Sequence, residues 1–240
     1  MSKIGRLFLS IAIAGSIYWL ALFIIPSLSL FKELLESAWI SKGNITQATY
    51  LVLSLILIAI FSQGNFAAYG FKPIRVNQLV KPVLIGIPIG LLVILLMIIT
   101  TILSGFPADG DEPQALTGGI LRTIISIWII ASIVEELFYR GLVQSLLAPL
   151  KDYGFKLFKL SISVPVTIPA LLFGLGHFCL LSSMPGKMVI NIVIAATVLG
   201  FTAGYFREKT GSLIPAIAVH MTFNIVGFTI PNLMMKLASG

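Results

Sequence analysis

The sequence predicts an all-α fold, a polytopic membrane bundle of seven transmembrane helices with eight as the alternative count. Three observations predict it. Only 10% of the 240 residues are charged and 58% are hydrophobic, against about 25% charged in a soluble domain. A mean hydropathy of +1.03 leaves too few polar side chains to cover a surface in water. The apolar residues gather into seven runs near the length of about 20 residues that a helix needs to cross a bilayer. A cytosolic globular protein, a disordered chain and a fibrous repeat are excluded together.

The runs cover residues 7–30, 45–61, 83–103, 120–150, 160–181, 188–206 and 213–235. The first follows Lys3 and Arg6 as a secretory signal does, yet its apolar run exceeds the ~7–15 residues of a signal core, so it reads as an anchor. The second and third are apolar spans. The fourth is too long for one upright crossing and must tilt or project into water. Residues 148–160 then mix Lys151, Lys156 and Lys159 with Tyr153, Phe155 and Phe158, which suits a segment lying in the membrane interface or a short basic loop. Pro165, Pro169 and Pro215 mark places where the later helices bend or unwind.

The net charge of +7 is scattered between apolar runs and forms no patch, so it points to anionic lipid and not to nucleic acid. Sorted by alternate loops, ten of the 16 lysines and arginines fall on one side, among them Lys3, Arg6, Lys72 and Arg207. Five fall on the other, with Asp109, Asp111 and Glu112, and Arg140 is left inside a span. The positive-inside rule then places the N-terminus in the cytoplasm. A single cysteine, Cys179, excludes an internal disulfide and reads as a packing residue. Trp19, Trp39 and Trp128 read as interface and packing residues, and Asn44-Ile45-Thr46 fits a glycosylation sequon.

An ionised side chain at bilayer depth costs several kcal/mol unless it is paired or hydrated, so each one needs a cause. The fourth span reads Val134-Glu135-Glu136-Leu137-Phe138-Tyr139-Arg140. Glu136 and Arg140 are four apart, in the orientation that favours an ion pair. Glu135 is turned about 100° away and lacks that partner. The fifth span carries Phe173-Gly174-Leu175-Gly176-His177, and the seventh carries His220 and Asn224, four apart on one face. Three helices thus offer Glu135, His177, His220 and Asn224 to one cavity, with Gly174 and Gly176 leaving room for close helix approach. Counted from the span ends, Glu135 and His177 lie about 22–25 Å deep but His220 and Asn224 only about 10–16 Å, a mismatch that a fourth helix starting below the membrane surface, or bends at Pro165, Pro169 and Pro215, would reduce.

Such a set can hydrolyse an amide without a serine or cysteine. The carboxylate serves as general base toward water, an imidazole orients that water, and a second His with an Asn amide donates to the oxyanion. The same atoms of Glu135, His177 and His220 are equally a ligand set for zinc or another divalent metal with an open position for water. A structural ion pair and helix–helix hydrogen bonds account for each residue taken singly. The co-occurrence of all four is what points to a site.

Glu135-Glu136-x-x-x-Arg140, then Phe173-x-x-x-His177, then His220-x-x-x-Asn224, on successive later spans, resembles the CAAX protease and bacteriocin-processing (Abi) family, which includes the type II CAAX prenyl endopeptidases. The resemblance implies one integral membrane domain over residues 1–240, with variable spans in 1–105 and a catalytic core in 120–235. It implies that Glu135 acts with His177 to activate water, that His220 and Asn224 stabilise the oxyanion, and that Glu136 and Arg140 support the site. The implied activity removes the C-terminal tripeptide of a prenylated CAAX-type protein, so the partners are a membrane-associated peptide and the bilayer. Other members are linked to bacteriocin self-immunity, which makes a non-catalytic, partner-binding protein the alternative. A proton-relay transporter is a third class, against which the spans show no inverted repeat. The compact loops fit a prokaryotic cell membrane, with the endoplasmic reticulum as the alternative in a eukaryote. The His-Glu-x-x-His of zinc proteases and the Gly-x-Ser-Gly of rhomboids are missing, and Asp109-Gly110-Asp111 falls in a loop with no second intramembrane Asp.

Overall fold

In lipid the backbone must satisfy its own N–H and C=O groups, and winding into helices is how a single chain does so. The computed structural model describes residues 2–29, 41–104, 119–157 and 160–239, and among these seven long helices form one bundle. α1 (Lys3–Trp19) is prolonged by a π turn and a 3-10 turn to Ser27. α2 (Lys42–Ser62) opens with a capping box between Ser41 and Asn44, and α3 (Val80–Ser104) follows two short 3-10 turns. α4 covers residues 119–146 and switches twice from α to π geometry, over Ile124–Ala131 and Leu137–Val143. α5 (Val164–Gly176) tightens into a 3-10 turn at His177–Ser182, and α6 (Gly186–Thr210) and α7 (Ile214–Ser239) follow.

The packing is that of a protein in lipid. Large apolar side chains such as Phe8, Ile60, Leu95 and Ile102 stand exposed on the outside, while Glu136 and Arg140 are fully buried inside. Among the described residues five helical stretches are long and apolar enough to cross a membrane: Lys3–Ser27, Lys42–Ser62, Val76–Leu103, Val164–Ser182 and Gly186–Thr210. The other two helices carry Glu135, Glu136, Arg140, His220 and Asn224. α4 is the axis of the bundle, because Leu137, Phe138, Leu142, Val143 and Leu146 on its second half are all buried in the main core.

α5 packs along α6, and α7 packs against both α3 and α6. Close approach is set by glycine. A Cβ on Gly174 would collide with Thr197 of α6, and one on Gly200 would come within 2.9 Å of the Ala170 backbone on α5.

Several expectations are corrected. The fifth span begins at Val164 and not at residue 160, because Leu160–Ser163 alternates as a strand and pairs antiparallel with Gly154–Leu157, so the all-α bundle carries one small hairpin. Ser163 then caps α5 by accepting from the Val166 N–H, with Pro165 in the first turn. Within the basic segment Ala148–Leu150 is a 3-10 turn and Gly154–Leu157 the first strand, and Tyr153, Phe155 and Leu157 are exposed. Arg207, counted among the loop charges, is buried inside α6, because the helix runs on to Gly211 in the left-handed conformation. Cys179 is exposed and not a packing residue. Asn44 of the sequon is committed to the α2 cap and donates to Ser126. Trp39, Lys32, Asp109, Asp111, Glu112, Phe158 and Lys159 lie outside the described residues.

One end of the bundle gathers segments that the charge sorting had grouped on one side. Lys3 donates to the Tyr153 hydroxyl at 2.8 Å, Ser163 donates to Glu208, and Ser212 donates to the Lys72 carbonyl. Glycine contact makes a direct test of this packing. Gly174→Val is expected to lower stability in thermal unfolding by about 1–3 kcal/mol through overpacking. Gly15→Ala, with nothing within 4 Å of the new Cβ, should leave the transition where it is.

Candidate active site

The short α turn Ser132–Glu136 carries both glutamates and sits between the two π stretches of α4. A π stretch advances the helix register, and such insertions cluster at functional sites. Arg140, one turn on, donates from Nη1 to Glu136 Oε1 at 2.9 Å and from Nη2 to the Gly200 carbonyl at 3.0 Å. Its guanidinium also lies 4.9 Å over the Phe173 ring. The expected i,i+4 pair is thus present, fully buried, and tied to α5 and α6.

α7 adds the imidazole. His220 Nδ1 lies 2.8 Å from Glu136 Oε1, and since that oxygen is a carboxylate acceptor, Nδ1 is the donor. The opposite ring nitrogen, Nε2, then faces Glu135 Oε2 at 3.8 Å. Glu136 Oε1 receives two donors while its Oε2 is buried with no partner.

Glu135 is not the unpartnered carboxylate that the α4 pattern alone describes. Gln47 of α2 donates from Nε2 to Glu135 Oε1 at 2.6 Å. The helix periodicity of α4 carries no information about this bond, because its donor comes from another helix. Gln47 does share a stripe with the buried Tyr50, Ser54 and Ile58, at spacings of three and four.

His177 stands at the end of α5, where the helix tightens and the last carbonyls lack intrahelical partners. Its Nδ1 donates to the Phe173 carbonyl at 2.8 Å, which fixes the tautomer and leaves Nε2 as an acceptor. The Phe173 ring joins the two imidazoles edge to face, with centroids 5.0 Å from His177 and 5.5 Å from His220. Hydrogen bonds join Glu136 to Arg140 and His220, and another joins Gln47 to Glu135; the two groups meet where His220 Nε2 faces Glu135 Oε2 at 3.8 Å, whereas His177 reaches them through Phe173 and not through a carboxylate.

Asn224 is placed by α4 as well. Its Nδ2 donates to the Ile127 carbonyl and to Ser132 Oγ, both at 3.0 Å. Ile127 lies inside the first π stretch, so the amide satisfies a carbonyl of that irregular helix. Ser132 and Gln47 are the two polar contributors that sequence reasoning passed over.

The depth mismatch narrows for a simple reason. α4 ends at Leu146, so Glu136 lies about 15 Å from that end and His220 about 9 Å into α7. Beside the site lies an apolar pocket of about 180 Å³, bounded by Ala14, Gly15 and Tyr18 of α1, Phe138 and Tyr139 of α4, and Leu172, Leu175 and Gly176 of α5. The Tyr18 hydroxyl donates to the Gly176 carbonyl at 2.6 Å and ties α1 to the residue before His177.

The fit to a metal is poor. Among the described residues no three His, Cys, Asp or Glu side chains stand together as a ligand cluster. Glu135 and His220 face each other, and His177 Nδ1 is engaged by the Phe173 carbonyl. The set of Glu135, His177 and His220 does not form a metal centre in this arrangement.

Residues 117–226 match the model of one family, described as type II CAAX prenyl endopeptidase Rce1-like. No curated protein and no solved structure matches the chain. The matched stretch contains the glutamate pair, Arg140, both histidines and Asn224, and leaves out Gln47.

The buried charges make a direct stability prediction. Arg140→Met strips Glu136 of its guanidinium, and unfolding in detergent should show a loss of about 3–5 kcal/mol. Glu136→Leu combined with Arg140→Met is expected to recover more than half of that. A double variant no more stable than the single one would place the cost in lost packing and not in charge.

Proposed function

We propose, since residues 117–226 match the model of the Rce1-like family of type II CAAX prenyl endopeptidases, that the chain is an intramembrane endopeptidase acting near the C-terminus of a lipid-modified, membrane-associated peptide. The observation that carries the reading is the contact set joining Glu135 and Glu136 of α4 to His220 of α7, with His177 one aromatic ring away.

In this reading a water molecule lies between Glu135 Oε2 and His177 Nε2. Glu135 takes one proton from it, and the hydroxide oxygen bonds to the scissile carbonyl carbon. The carbonyl oxygen becomes an oxyanion facing His220 and Asn224. The proton then passes to the amide nitrogen, the C–N bond breaks, and the products are a carboxylate and an amine. Two carboxylates and one guanidinium leave one negative charge uncompensated, which is costly away from water. An N–H on His220 Nε2, facing Glu135 Oε2, offsets that charge and makes His220 a donor to the oxyanion. Asn224 contributes its amide by exchanging the Ser132 bond for the substrate oxygen.

The apolar pocket between α1, α4 and α5 supports a lipid-bearing substrate, since it opens beside Gly176 and Tyr139. The shared basic end of the bundle supports a cytoplasmic N-terminus, in a prokaryotic cell membrane. A second reading, a partner-binding membrane protein of the same family with no hydrolysis, draws on the Asn224 amide being fully engaged within the protein.

The two readings separate in one assay. Purified full-length protein in lipid nanodiscs is expected to hydrolyse a farnesylated CAAX peptide, and Glu135→Gln to slow cleavage about 100- to 10,000-fold. Unchanged cleavage by that variant removes the mechanism. No cleavage by the wild type, with retained peptide binding, favours the partner-binding reading.

A further inference from the structure

Gln47 lies on α2, outside the matched stretch, and nothing in the family resemblance assigns it a role. Its position is nevertheless specific. Nε2 donates to Glu135 Oε1 at 2.6 Å, and the second side-chain atom, Oε1, is buried with no hydrogen-bond partner. Apolar side chains fill most of the same α2 stripe, at Tyr50 and Ile58, and a methionine would fit it in lipid. An amide there has one group satisfied and one left over, and buried acceptors are rarely left so without cause.

The orientation of the amide follows from its neighbour. An ionised carboxylate has no proton to give, so the NH2 group must face Glu135 and the carbonyl oxygen must face away. With Oε1 of Glu135 taken, Oε2 is the oxygen left to meet water and His220. A peptide entering beside Glu135 brings main-chain N–H groups, which are the donors that the unpartnered Gln47 oxygen lacks.

We propose that Gln47 is a positioning residue of this site, holding Glu135 through Nε2–H and receiving a main-chain N–H of the bound peptide at Oε1. The inference rests on the proteolytic reading for its second half and on the α2–α4 contact alone for its first. It makes the N-terminal part of the bundle a contributor to the site, where the family resemblance treats that part as variable.

The test uses the full chain in lipid nanodiscs and infrared spectroscopy. The Glu135 carboxylate bands are identified as those lost in Glu135→Gln. In Gln47→Met these bands are expected to shift from their wild-type position, because the carboxylate has lost its shortest hydrogen bond. With the farnesylated CAAX peptide, the same variant should show kcat about 10- to 100-fold lower and a raised KM. Bands that coincide in wild type and Gln47→Met overturn the inference whatever the rates do. An unchanged KM overturns the contact to the peptide N–H. If Gln47→Met does not accumulate as folded protein, glutamine-selective isotope labelling of the wild type and of Glu135→Ala gives the same reading. The Gln47 side-chain amide resonance moves between the two if the bond exists, and coincidence overturns it. Failure of the proteolytic reading shows separately, as cleavage by Glu135→Gln equal to wild type, and leaves the infrared comparison intact.

Discussion

A carboxylate and a guanidinium held out of water destabilise a bundle unless they are paired, and the contact of Glu136 with Arg140 and His220 is where this chain meets that demand. Arg140 lies beside Glu136 on α4, stacks on Phe173 of α5 and donates to the Gly200 carbonyl of α6. His220 brings α7 to the same oxygen. Four helices are thereby fixed relative to one another at a single buried point. The position of Glu135 follows, since it is the next residue on α4 and must lie on the adjoining face. The chemistry proposed for Glu135 therefore depends on a neighbour that takes no part in bond making.

Small residues make the point accessible. Arg140 reaches the Gly200 carbonyl on a helix whose neighbour α5 lies against that same glycine. The Gly174 contact with Thr197 holds α5 against α6 further along, so that the helix end presenting His177 is set by backbone approach and not by a long side chain. The Tyr18 bond to Gly176 closes the same region from the α1 side. Side-chain rotamers locked by such packing are what a preorganised site requires.

What the sequence makes legible is local. The spacing of Glu136 and Arg140 foretells their bond because one helix turn carries both. The convergence of His220 on the glutamate pair is legible as a demand, since a polar residue in a span needs a partner, though no pattern says which. Gln47 and Ser132 are not legible in that way: each looks like an ordinary polar residue, and its role appears only when another helix arrives. The Asn224 bond to Ile127 depends on a π stretch that hydropathy does not encode. The strands Gly154–Leu157 and Leu160–Ser163 pass for an interface segment or basic loop and the start of an apolar span, because four residues of alternation are short against a 20-residue window. Membrane character, by contrast, is a sum over the whole chain and survives every local error.

The most direct measurement of the account is an experimental structure of the chain bound to a phosphinate analogue of a farnesylated CAAX peptide, whose tetrahedral phosphorus imitates the hydrated carbonyl. The account predicts one phosphinate oxygen between Glu135 and His177, the other toward His220 and Asn224, and the lipid chain running toward Tyr18 and Leu175. An analogue bound elsewhere in the bundle, or Glu135 and His177 too far apart to touch one oxygen, would contradict it.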